Sequence, residues 1–135
     1  MTFSNPLFAL SCVVVMSVSC KKTPSGDESA PLRALVDRYA PASDAEREKI
    51  FADLSALPCA GDALCSAKVV CEKSMLSYRS GTLSKTLAAG LVATAHDDAS
   101  RALALSKLEE AATQFLDAKN GFEDCVRGTS MLRPR

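Results

Sequence analysis

The chain is 135 residues long, with 16 Lys and Arg set against 16 Asp and Glu, one His and no Trp. That length holds one domain, and a formal net charge of zero offers no net basic face for phosphate, which excludes nucleic acid as an expected partner. Aromatics make up only 5% of the residues, so the core has to be built mainly from Leu, Val and Ala, and a small domain with such a core benefits from covalent staples.

Residues 1–20 contain no Lys, Arg, Asp or Glu. An apolar run from Leu7 to Val18, interrupted by Ser11, leads into Ser17-Val18-Ser19-Cys20, and the chain then turns polar at Lys21-Lys22-Thr23-Pro24. A membrane-spanning helix needs roughly 20 apolar residues, so this run is too short to span and fits the apolar region of a signal peptide. The segment resembles the precursor of a bacterial lipoprotein, in which an aliphatic residue and small residues precede an acceptor Cys. Val18, Ser19 and Cys20 match that pattern, while Ser17 stands where the class carries Leu. The resemblance implies that residues 1–19 are removed as a signal peptide and that Cys20 is lipidated and becomes the mature N-terminus. It implies a membrane as partner through two or three acyl chains, because one chain alone binds only marginally. Lys21, rather than Asp, after the acceptor implies an outer-membrane destination in a Gram-negative cell. Cleavage as a plainly secreted protein and a buried helix of a cytosolic protein are the competing readings.

From Cys20 to Pro31 the chain is rich in Pro, Ser, Gly and charge without apolar periodicity, which predicts a lipidated Cys followed by a flexible tether over residues 20–31. Residues 32–135 form the helical domain. Leu32, Leu35, Val36 and Tyr39 fall at helical spacing and predict a short helix ended by Pro41. Ser43 or Asp44 caps a second helix whose apolar face is Ile50, Phe51, Leu54 and Leu57, ended by Pro58. Asp62 is the expected N-cap of a third helix beginning near Ala63, along which Val69, Leu76, Leu83, Leu87 and Leu91 recur. Ser80-Gly81-Thr82 is a candidate break within it. The last helix starts after Asp97-Asp98 and carries the apolar stripe Leu105, Leu108, Ala112, Phe115, Phe122 and Val126. Beside it, Ala104, Ala111, Ala118 and Cys125 recur every seventh residue, and side chains that small let another helix approach closely. No window alternates as a strand. The fold class expected is all-α, a small hairpin or bundle of three to five helices after a tether.

The domain holds four cysteines, Cys59, Cys65, Cys71 and Cys125, which in an exported protein read as two disulfides. Cys65 and Cys71 on one helix are about 9 Å apart along its axis, beyond the roughly 7 Å a disulfide spans. Cys59 lies in a loop and Cys65 in the first turn beyond it, so they can meet across the helix start. The midpoint of Cys71 and Cys125 is Asp98, beside the best turn signal, as a hairpin of facing helices requires. Position therefore favours Cys59–Cys65 with Cys71–Cys125; Cys59–Cys71 with Cys65–Cys125, whose longer bridge has its midpoint at Ala95, stays open. The favoured pairing needs a third helix of about 30 residues running through Gly81, whereas ordinary helix lengths favour a break there. Zinc sites show closer Cys pairs with further Cys or His, so neither a metal nor a cofactor is expected.

His96-Asp97-Asp98 is the one cluster of chemically useful side chains, and it reads more readily as the end of one helix and the cap of the next than as a base. The glycine, serine and histidine motifs of common enzymes do not occur, and the chain is not expected to be an enzyme. Two functions remain. One is a non-catalytic lipoprotein of the cell envelope, facing the periplasm or exterior, that contacts an envelope protein through a helical face. The other is a periplasmic helical module that binds a small molecule or lipid in an apolar pocket.

Overall fold

The computed structural model describes residues 27–132, so the signal segment, Cys20 and the tether up to residue 26 lie outside the described residues, as do Arg133 and Arg135. Among the described residues there are four helices and no strand: α1 (Ala30–Tyr39), α2 (Asp44–Ala56), α3 (Asp62–Thr94) and α4 (Asp98–Ser130). The two long helices form an antiparallel hairpin turning at residues 95–97, and α1 and α2 pack against the end of the hairpin that carries the termini of the domain.

Residues 27–31, assigned by the sequence to the tether, belong to the folded domain. Asp27 accepts hydrogen bonds from the backbone N–H of Ser29 (3.1 Å) and from its hydroxyl (2.5 Å), and pairs with Arg33. Those bonds hold the Asp27 carboxyl below its usual range, the Ser29 hydroxyl contributing most. The Arg33 guanidinium also donates to the carbonyl of Leu132 at 3.2 Å, so the first turn of the domain is tied to its last residues. Helix α1 then starts at Ala30, with Pro31 in its opening turn, where a missing N–H costs nothing. It buries Leu32, Leu35, Val36 and Tyr39.

Helix α2 opens with the reciprocal cap that Ser43 and Glu46 allow, the Ser43 N–H and hydroxyl both donating to Glu46 Oε2 at 2.9 and 2.8 Å. It buries Ile50 and Leu54, leaves Phe51 and Leu57 half-buried, and stops before Pro58. At the start of α3 the N-cap is Gly61, not Asp62. The chain enters the helix with φ of 85°, a conformation that favours glycine, and Asp62 becomes the first helical residue.

Gly81 does not break α3. It is buried, and the ring of Phe115 lies against the position its Cβ would fill, so the glycine admits the facing helix rather than ending its own. The contact surface between α3 and α4 is a seam of small residues: Ala67, Cys71, Ser74, Gly81, Ser84 and Ala88 from α3, and Ala104, Ala111, Ala118 and Cys125 from α4. Two polar bonds cross it, Ser74 Oγ to the carbonyl of Ala118 at 2.8 Å and Ser84 Oγ to Gln114 Oε1 at 3.0 Å.

This corrects the sequence reading of both long helices. The large aliphatic stripes point outward: Val69, Leu76, Leu83 and Leu87 of α3 are exposed, as are Leu105, Leu108, Ala112 and Val126 of α4, while Leu91, Phe115 and Phe122 are half-buried. The contrast is large, Leu105 being 61% exposed and its neighbour Ala104 1%. Small side chains win the seam because they let two backbones approach along the whole hairpin, whereas Leu against Leu would hold them apart.

Candidate interaction surface and the cysteine staples

The structure joins Cys59 to Cys65 across the start of α3, with Cα atoms 5.1 Å apart, and Cys71 to Cys125 across the hairpin seam at 4.8 Å. The second bridge closes a separation of 54 residues and both its cysteines are fully buried. In the chain-entropy account such a loop contributes about 4 kcal/mol, and the bridge of separation 6 about 2 kcal/mol.

Where α1 and α2 meet the hairpin, Arg47 reaches from α2 between two rings. Its guanidinium lies 5.4 Å from the centroid of Tyr39 and 4.5 Å from that of Tyr78. It donates to the carbonyls of Tyr39 (3.2 Å) and Ala40 (2.9 Å) and to the Tyr78 hydroxyl, which in turn donates to Asp44 at 3.0 Å. Tyr39 also packs on Phe122, and Tyr78 on Phe115, both at 5.4 Å between centroids. Burial pushes the Tyr39 phenol up to about 12, against the opposing pull of Arg47. Every group here is engaged by a neighbour, which marks the cluster as the polar lock of the small helices onto the hairpin.

The cluster at residues 96–98 is a turn and cap. The Asp97 carboxylate accepts the Ser100 N–H at 2.7 Å, which holds its carboxyl below the usual range, and Asp98 pairs with Arg101 at 3.3 Å. His96 is exposed. No group of three or more His, Cys, Asp or Glu among the described residues has a geometry that could hold a metal, and no described helix is long and apolar enough to cross a membrane.

Two surfaces remain that chemistry can use. One is the set of exposed aliphatic side chains along the outside of the hairpin. α2 covers α3 at Tyr78 and Arg79, and beyond them Leu83 and Leu87 on α3 and Leu105, Leu108 and Leu116 on α4 stand exposed. The other is an open groove of about 320 Å³ at the opposite end, lined by Pro31, Leu32, Leu57, Pro58, Cys59 and Leu64, with the charged heads of Glu28 and Lys68 at its edge. The Lys68 ammonium is committed to the carbonyls of Ser55 and Leu57 at 2.8 and 2.7 Å, closing the end of α2. Neither surface was singled out by the sequence, because each is made of residues assigned there to the core or to a loop.

The chain matches no known protein family, no curated protein and no solved structure.

Proposed function

We propose that the chain is an envelope lipoprotein, anchored through Cys20, whose helical domain is a non-catalytic module that binds or assembles with another envelope protein through the outward face of its hairpin. The observation that carries this reading is the placement of the large aliphatic side chains. Leu83, Leu87, Leu105, Leu108 and Leu116 are kept on the surface while Ala, Ser and Gly take the seam, and large aliphatic side chains left in water are available for contact with a partner. Anchoring is supported by the apolar run ending at Cys20 and by the polar stretch after it. Two disulfides suit an oxidising compartment outside the cytosol. In the one His-carboxylate cluster the Asp97 carboxylate caps α4.

The test has two parts. The intact mass of protein extracted from bacterial envelopes should begin at Cys20 and carry acyl chains; a full-length, unmodified mass would remove the anchoring half. A photo-crosslinking residue placed at Leu105 or Leu83 should give adducts in cells, while the same residue at Ala52, exposed on α2, should not. Equal labelling at all three would remove the helical-face half.

The apolar groove supports the second reading, a module that binds a small molecule or lipid. Its volume of about 320 Å³ reaches the lower end of ligand pockets. Saturable, stoichiometric binding of a fluorescent fatty acid, abolished by Ala60→Asp at the rim, is the result that would favour it.

A further inference from the structure

The two disulfides differ in what governs access by a thiol. Cys71 and Cys125 are fully buried between α3 and α4, at the end of the hairpin covered by α1 and α2. Cys59 is exposed, Cys65 is half-buried, and their bridge spans a separation of only 6. Cys59 also forms part of the wall of the apolar groove, beside Pro58, Leu57 and Pro31. We propose that Cys59–Cys65 is a thiol–disulfide exchange site, and that its substrate is an extended polypeptide segment, seated in that groove, that presents one cysteine thiol among apolar residues and carries a second cysteine thiol within reach of the first. The proposal goes beyond the anchored-module reading and does not depend on it.

The groove argues for a polypeptide over a small polar thiol. Apolar side chains form most of its lining, and the one cation at its edge, Lys68, is already held by two carbonyls. The substrate thiolate attacks the sulfur of Cys59, the exposed residue of the pair. The S–S electron pair leaves with Cys65, which becomes a thiolate, and a mixed disulfide joins the substrate to Cys59. Cys65 sits at the end of the first turn of a 33-residue helix with no side-chain cap, so the anion forms near the positive end of the helix dipole. A second thiol of the substrate then attacks its own sulfur in the mixed disulfide and releases Cys59 as a thiolate. The substrate ends as a disulfide, having given up two electrons, and its two protons pass to Cys59, Cys65 or solvent. Cys71–Cys125 takes no part.

The experiment uses the oxidised full-length chain in glutathione buffers of graded strength, with free thiols trapped by N-ethylmaleimide and mapped by mass. Cys59 and Cys65 should become labelled at least tenfold faster than Cys71 and Cys125, whose buried bridge no thiol reaches until the helices around it open. With Cys65→Ser the free Cys59 should form a mixed disulfide. A pentapeptide disulfide with its Cys flanked by Leu and Val should load it at least tenfold faster than oxidised glutathione does. Ala60→Asp, an exposed change on the groove rim, should remove that preference while leaving the glutathione rate in place. Simultaneous reduction of the two disulfides overturns the assignment, as do equal rates for peptide and glutathione, or a preference that Ala60→Asp leaves intact.

Discussion

Gly81 and Gly90 lie on the same helix and meet different surroundings, which gives them opposite roles. A Cβ at Gly81 would stand 2.9 Å from the Phe115 ring, whereas one at Gly90 would meet nothing within 4 Å. Gly81→Leu should therefore lower stability by roughly 2 kcal/mol or more through overpacking. Gly90→Ala should raise it by about 0.5–1 kcal/mol through helix propensity. Both are read from denaturant midpoints of the oxidised protein. Tyr39 carries a second residue-level prediction. An unfolded Tyr loses its proton near pH 10, while the buried phenol holds its proton to about 12. The native advantage from this group is intact below pH 10 and is lost as pH rises from 10 to about 12. The denaturant midpoint should fall through that window, and Tyr39→Phe should flatten the fall.

At the scale of the helices, most ends were legible, the N-cap of α3 aside, as were the inward faces of α1 and α2 and the small-residue stripe of α4; the outward turn of the large aliphatics on α3 and α4 was not. Ser43 with Glu46, Pro58 and the Asp97 cap each act through a local rule, an oxygen satisfying free N–H groups or a ring that stops the helix, and local rules can be read without knowing the fold. The stripes on α3 and α4 failed differently. Periodicity shows that a helix has faces, but which face turns inward depends on how close its partner comes. Here the partner is another long helix at short range, so Ala104 and Ala111 displaced Leu105 and Leu108 from the interior. The same contact overrode the break suggested at Gly81. The midpoint of Cys71 and Cys125 falls at Asp98, directly after the turn at 95–97, because register in an antiparallel pair is a counting property. Of the candidate surfaces, Cys59 was legible as a staple, but the groove beside it was not, since it forms only when Pro31 of α1 meets Pro58 and Leu64. An element-scale prediction follows from the seam. Ala111→Leu should cost roughly 2 kcal/mol or more by forcing the helices apart, whereas Leu105→Gln, one turn and a half away on the outside, should stay within about 0.5 kcal/mol. The pair is compared by denaturant titration, and equal losses would contradict the seam.

Over the whole molecule, stability is unevenly distributed. The apolar cluster of α1, α2 and the adjoining ends of α3 and α4 holds every large buried aliphatic side chain, both small helices and the buried disulfide. The distal half of the hairpin has the seam and little else. Native-state hydrogen exchange should show slow amides around Cys71, Met75 and Cys125, and faster ones from Leu87 through the turn to Leu103, the amplitude tracking distance from the cluster. Removing the Cys71–Cys125 bridge by a double change to Ala should cost about 4 kcal/mol and erase that gradient by making unfolding of the two halves a single event.

The sevenfold spacing of Ala104, Ala111, Ala118 and Cys125 gives the hairpin the properties of a ruler. Each helix has 33 residues, a reach of about 50 Å at 1.5 Å per residue, and one heptad on each side is a graduation of about 10 Å. Paired heptads could be removed from or added to the distal arm without altering what meets at the base. Length in this protein is thus separable from folding, and evolution can set the distance between the tied ends and the tip without redesigning the core.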